Sequence, residues 1–206
     1  MAKKAIIFDL DNTIYSVHSI GNELFAPLFN LIFENGNYAP MMERIKDEIM
    51  RRPFQLVARD YKFSEELTQK GVELLKNLAY EGRIEPFPDY QFTKDLPVEK
   101  FLVTTGFLML QQSKVAGMNL EQDFKEIHIV DPSTSDKTKK SVFSDIMNRH
   151  CYTPSEVLVV GDDLHSEIKA AQELGIDAVL YDNFNLHPET SISKISDFKQ
   201  LPAYLF

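Results

Sequence analysis

The 206-residue chain carries 31 acidic against 22 basic residues, a formal net charge of -9, so its overall field repels nucleic-acid backbones and anionic membrane surfaces. With 44% hydrophobic residues it has the apolar material for one α/β unit with a modest insertion, yet no apolar run approaches the roughly 20 residues needed to cross a bilayer. A single cysteine, Cys151, excludes an internal disulfide, and the start MAKKAIIFDL lacks the longer apolar stretch of a signal peptide, so a soluble protein in a reducing, cytoplasmic setting is expected.

In chain order, residues 5–8 form the first of five short apolar runs, rich in β-branched residues, that read as buried parallel strands. Over residues 15–90 the pattern changes, with no convincing strand and apolar residues at helical spacing. Leu24, Phe25, Leu28, Phe29 and Ile32 make one stripe ending near Gly36, Met42, Ile45 and Ile49 a second, and Leu67, Leu74, Leu75 and Leu78 a third ending near Gly82. The proline-bearing stretch 85–88 returns the chain to the next runs, at 101–103, 127–130, 157–160 and 178–180. Between the later runs lie amphipathic segments: Val142, Phe143, Ile146 and Met147, then Ile168, Ala171 and Leu174 with Gly175 as a helix stop. This strand and helix alternation predicts a doubly wound, mostly parallel Rossmann-like sheet built from residues 1–14 and 91–206, with residues 15–90 inserted as a helical cap domain.

In an open α/β sheet a ligand lies beyond the carboxyl ends of the strands, so the residues after each run matter most. The first run ends in Asp9-Leu10-Asp11-Asn12-Thr13 and the second in Thr104-Thr105-Gly106; the third is followed by Lys137 and the fourth by Gly161-Asp162-Asp163. If the chain stays extended after the first run, Asp9 and Asp11 project to one side. One carboxylate can then attack phosphorus while the other, held protonated by its neighbour, gives a proton to the leaving oxygen. Crowding Asp9, Asp11 and Asp162 around a phosphate requires a cation, and an all-oxygen set of hard ligands favours Mg²⁺. Thr104 can hydrogen-bond a phosphoryl oxygen, Lys137 can neutralise the transferring group, and the turn N–H groups of Thr105 and Gly106 can add donors. Each residue also has a plainer reading: a strand-end threonine, a solvated lysine, or helix-capping acids at Asp162 and Asp163. Their joint order along the chain favours the chemical one.

The segments Ile6-Ile7-Phe8-Asp9-Leu10-Asp11-Asn12-Thr13, Leu102-Val103-Thr104-Thr105-Gly106 and Val159-Val160-Gly161-Asp162-Asp163 resemble the first, second and fourth motifs of the haloacid dehalogenase-like superfamily. The resemblance spans essentially the whole chain. It implies Asp9 as nucleophile and Mg²⁺ ligand, Asp11 as acid/base with its backbone carbonyl on the metal, Thr104 on phosphate, Asp162 as a further metal ligand, and a mobile helical cap of the C1 kind. In the third motif many relatives have Lys-Pro with Phe six residues after the lysine; Lys137 has Phe143 at that spacing but Thr138 in place of proline, which leaves Lys139 and Lys140 as alternatives. For the second acid of the fourth motif the chain offers Asp163 and Glu167, either able to steady a water on the metal.

The expected function is therefore hydrolysis of a small phosphorylated metabolite. Dehalogenation is disfavoured by Asp11, which the dehalogenating branch typically lacks. The alternatives are a phosphomutase that returns the phosphoryl group to a sugar, and a non-catalytic interaction protein. The wording Asp-Asn-Thr-Ile-Tyr also looks like that of pyrimidine 5′-nucleotidase-type members. In the insertion, Arg51, Arg52, Arg59 and His18 can either meet a second charge on the substrate or lie on the wet helix face, and Phe54 and Tyr61 can stack on a base or fill a core. His128, His150, His165, His187 and Cys151 show no zinc-ligand spacing. Oligomeric state is not legible.

Overall fold

The apolar runs assemble into one sheet. In the computed structural model, which describes residues 2–134 and 136–206, β1 (Ala5–Phe8), β2 (Glu99–Thr105), β3 (Glu126–Val130), β4 (Val157–Gly161), β5 (Asp177–Tyr181) and β6 (Lys194–Ile195) lie in the order β3-β2-β1-β4-β5-β6. Every pairing is parallel, and at the centre Phe8 stands beside Leu102 on one flank and Val160 on the other. Strands covered on both faces have no wet side, which is why β1 and β4 read as unbroken apolar runs and are buried throughout. The strand period of two divides them between two cores. Ala5, Ile7, Val157 and Val159 pack with Phe143, Ile146 and Ala171, whereas Ile6, Phe8, Leu158 and Val160 face the other layer.

The crossover helices carry the predicted stripes. In α7 (Lys139–His150) Val142, Phe143, Ile146 and Met147 are buried, and in α8 (Glu167–Glu173) so are Ile168 and Ala171. Gly175 follows α8 at φ +69°, the left-handed residue that stops the helix. A further helix, α6 (Leu108–Gly117), joins β2 to β3.

Five α-helices lie between β1 and β2, within the span read as the insertion: α1 (His18–Leu24), α2 (Ala26–Glu34), α3 (Met42–Ile49), α4 (Phe54–Asp60) and α5 (Glu65–Lys76). The first predicted stripe is split at Phe25, where Pro27 sits in the opening turn of α2, a position that tolerates a missing N–H. Ser64 caps α5 by accepting from the Leu67 N–H at 3.1 Å, and α5 packs on α4 through Gly71, where a Cβ would collide with the Phe54 ring. Phe54 is therefore core, beside Phe63 at 6.1 Å, and Tyr61 also packs on Phe63, so neither aromatic lines the cavity described below. Where the insertion leaves and rejoins the sheet, the Phe87 N–H donates to the Ile14 carbonyl at 2.8 Å. No helix among the described residues is long and apolar enough to cross a membrane.

Candidate active site

Three acids converge at the carboxyl ends of β1 and β4. Asp9 extends β1 by donating its N–H to the Val160 carbonyl at 2.9 Å, Asp162 follows β4, and Glu167 opens α8. One donor atom from each lies within 4.8 Å of the others. Glu167 reaches this position because β4 ends in Gly161, where any Cβ would overlap the Glu167 side chain. Its Oε1 accepts from the Asp163 N–H at 2.7 Å. The Asp163 carboxylate turns back into its own loop, accepting from the His165 N–H at 2.7 Å, and is not in the cluster.

The lysine in the cluster is Lys139. Its Nζ donates to Asp9 Oδ1 at 2.5 Å and Glu167 Oε2 at 2.6 Å. Lys137, expected in this place, is exposed and makes no side-chain polar contact to the acids. The correction has a local cause. Thr138 is the N-cap of α7, with its Oγ1 accepting from Ser141 N–H at 3.2 Å and Ser141 Oγ accepting from Thr138 N–H at 2.9 Å, so Lys137 stays outside the helix while Lys139 occupies its first turn. Phe143 is then one helical turn beyond Lys139, on the same buried face.

Three carboxylates, Asp9 and Glu167 buried and Asp162 half-buried, against one ammonium leave the cluster short of positive charge. Burial pushes Asp9 up to about 7, Lys139 pulling against that rise and Glu167 adding to it. Burial also drives Asp162 well above the carboxylate range, reinforced by Glu167 and Asp9. For Lys139 burial disfavours the charge, but Asp9 and Glu167 outweigh it and keep the ammonium protonated. A set of hard oxygen donors with uncompensated negative charge fits a divalent cation.

Asp11 belongs to a second network. The chain does not stay extended after β1 but turns: Ile14 N–H donates to the Leu10 carbonyl at 2.9 Å, and Asn12 sits at φ 57°. The Asp11 carboxylate thus accepts from the Tyr15 hydroxyl at 2.6 Å, Lys114 Nζ at 2.7 Å and Gln111 Nε2 at 2.9 Å, and its side chain is not among the clustered ligands. Burial alone would raise its pKa, but Lys114, Tyr15 and Gln111 together hold it below the usual range. In this arrangement Asp11 is not kept protonated by Asp9, contrary to the expectation from spacing.

Thr104, buried at the end of β2, accepts from Gln111 Nε2 at 2.6 Å, and Thr105 follows it, half-buried. The Gly106 N–H, expected as a free donor, is used by the Val130 carbonyl at 3.1 Å. What Gly106 provides is space, since a Cβ there would lie 2.9 Å from both Cγ and Cδ of Gln111.

A cavity of about 450 Å³ opens from Asp162 toward the insertion, its walls including Asn12, His18, Arg51, Phe184 and His187. Of the insertion residues considered from sequence, His18 and Arg51 line it. Arg52 instead pairs with Glu48 at 2.5 Å and Asp60 at 2.8 Å, and Arg59 with Asp60 at 2.9 Å. A second hollow, about 610 Å³, lies by Lys3, Val98 and Tyr152, near the amino ends of the central strands and remote from the acids.

Gln111 and Lys114 were not singled out from sequence, and Lys139 stood there only as an alternative to Lys137. The available signal was a polar residue within an apolar helical stripe, Lys139 with Val142, Phe143 and Ile146, and Gln111 and Lys114 with Leu110 and Val115.

Comparison with known proteins bears on this arrangement. The model of the haloacid dehalogenase-like hydrolases matches residues 3–175. Glyceraldehyde 3-phosphate phosphatase of Methanopyrus kandleri is 24% identical over 196 residues, covering 85% of this chain and 82% of that protein. Among solved structures, the HAD-hydrolase YfnB of Bacillus subtilis bound to magnesium is similar with a TM-score of 0.67 at 17% identity, covering 100% of this chain and 99% of that one. A HAD phosphatase of Thermococcus onnurineus gives a TM-score of 0.67 at 20% identity, covering 98% and 97%.

Proposed function

The chain belongs to the haloacid dehalogenase-like hydrolases, and on that footing we propose that it is a Mg²⁺-dependent phosphatase acting on a small phosphorylated metabolite through an aspartyl-phosphate. The observation that carries this reading is the cluster of buried Asp9 and Glu167 with half-buried Asp162, short of positive charge and joined by Lys139. Asp9, Asp162 and Glu167 would supply carboxylate oxygens to Mg²⁺, with the Asp11 backbone carbonyl as a further ligand. Once bound, the ion supplies the charge that keeps Asp9 ionised and neutralises phosphoryl oxygens.

An Asp9 oxygen attacks phosphorus and the ester oxygen departs, taking a proton from Asp11; water then attacks the same phosphorus, the P–O bond to Asp9 breaks to restore its carboxylate and free phosphate, and the water gives a proton back to Asp11. The ion pair with Lys114 holds Asp11 in the base form, which suits the second half, so the first half requires it to gain a proton before the leaving oxygen departs. Lys139 and Thr104 stabilise charge on the transferring group in both halves. The helical insertion, residues 15–90, serves as a cap, with His18 and Arg51 facing the leaving group in the cavity that reaches Asp162.

The test is phosphate release from p-nitrophenyl phosphate by wild type and Asp9→Asn, each with Mg²⁺ and with a chelator. Activity that requires both Asp9 and the ion is the expected result; none from folded wild type would sink the reading. A panel of triose phosphates, nucleoside monophosphates and phosphoglycolate then sorts substrates. The named activity of the Methanopyrus relative puts triose phosphates first, and faster cleavage of pyrimidine nucleotides would favour the nucleotidase-like wording of residues 11–15.

A further inference from the structure

Gln111 is 1% exposed, and its side chain reaches from α6 to the gap between Asp11 and Thr104. Its Nε2 lies 2.6 Å from Thr104 Oγ1, 2.9 Å from Asp11 Oδ2 and 3.5 Å from the Thr105 carbonyl oxygen. A carbonyl, and a carboxylate paired with the Lys114 ammonium, can only accept, so the amide end facing them is its NH₂. The same nitrogen therefore donates to Thr104, and the threonine oxygen is the acceptor. A threonine hydroxyl carries one hydrogen, and among the described residues no acceptor takes it. Gly106 keeps open the space that the glutamine occupies, since a Cβ there would stand 2.9 Å from its Cγ and Cδ.

From this geometry we infer that Gln111 is a positioning residue, which fixes the Thr104 hydroxyl as a donor for a phosphoryl oxygen and ties that donor to the Asp11 carboxylate. The inference rests on the phosphatase reading above. A freely rotating hydroxyl must reorient when an oxyanion arrives; one whose lone pair is already occupied by an amide N–H is oriented beforehand, which is how a donor contributes most to charge stabilisation.

The experiment is a double-mutant cycle with orthovanadate as the probe, in the presence of Mg²⁺, on wild type, Thr104→Val, Gln111→Leu and the double variant. Each single change is expected to weaken orthovanadate binding about tenfold, the size of one hydrogen bond to a charged oxygen. The double variant should bind within about twofold of Thr104→Val, because Gln111 acts through the hydroxyl. In hydrolysis, Gln111→Leu should lower kcat more than it changes KM. Gln111→Glu, of the same shape, runs the same cycle should the leucine variant fail to fold. Its carboxylate captures the Thr104 proton, and the Thr104→Val background subtracts its charge. Wild-type orthovanadate affinity in Gln111→Leu, or multiplying losses in the double variant, would overturn the inference alone. A wild type that neither binds orthovanadate nor releases phosphate removes the phosphatase reading, and the inference with it.

Discussion

Asp9→Asn should make the metal-free protein more stable at alkaline pH, although it removes the proposed nucleophile. In the folded, metal-free chain the Asp9 carboxyl is pushed from 3.8 up to about 7, chiefly by burial. A folded pKa above the unfolded one means that the folded state holds the proton longer. The associated stability is fully present below about pH 4 and lost as pH rises through about 7. At 1.36 kcal/mol per unit, three units amount to about 4 kcal/mol between those limits. Asparagine, neutral at every pH, avoids that loss, so the variant should exceed wild type by up to about 4 kcal/mol at pH 8, roughly 10 °C in Tm for a chain of this size, and match it near pH 4. Thermal and urea unfolding in a chelator at both pH values would measure this. Millimolar Mg²⁺ should narrow the difference at pH 8 by stabilising wild type through binding, by about 1.4 kcal/mol for each tenfold by which its concentration exceeds the Kd. A variant less stable than wild type at pH 8 in the chelator would refute the claim that the cluster lacks positive charge.

Lys137→Met should leave kcat within about twofold, whereas Lys139→Met should lower it by about 10²- to 10³-fold, the scale of losing one charge-stabilising donor, as steady-state hydrolysis would show. Gly161→Ala should displace Glu167 and raise the Mg²⁺ concentration needed for half-maximal activity about 10- to 100-fold, while far-UV circular dichroism stays unchanged. Gly71→Ala should cost about 1–3 kcal/mol in urea unfolding, because the new methyl collides with the Phe54 ring, and pairing it with Phe54→Leu should recover part of that loss.

The sheet was legible because its central strands are buried on both faces and admit only apolar residues, as in β1 and β4. β6 escaped notice because two residues, Lys194 and Ile195, carry no periodic pattern. α4 was missed because its seven residues follow Pro53 and end in Arg59-Asp60, too short for a stripe. At the site, Asp9, Thr104 and Asp162 could be read from their position after strands. Lys139 could not be separated from Lys137 by spacing to Phe143 alone, because what distinguishes them is the capping box of Thr138 and Ser141, which sets where the helix begins. Gln111 and Lys114 bear on Asp11 across 100 residues or more of sequence, a relation that only the folded chain brings about.

The hydrogen bond between Phe87 and Ile14 closes the neck of the insertion. Seen from the sheet, everything beyond that neck is a loop whose two ends already touch, and loop closure grows by only about 0.6 kcal/mol for each doubling of length. In chain entropy alone, helical units of quite different size can therefore be exchanged above the neck at little cost, provided that they also replace the packing on the sheet layer and the Tyr80 N–H bond to Ser113 Oγ. Asp9 lies five residues before the neck and takes its partners from β4, α7 and α8, all outside the exchangeable part. On the cap reading proposed above, a part that diversifies toward new leaving groups and a part that stays constant would meet at this neck, where one backbone hydrogen bond brings the two ends of the chain path together.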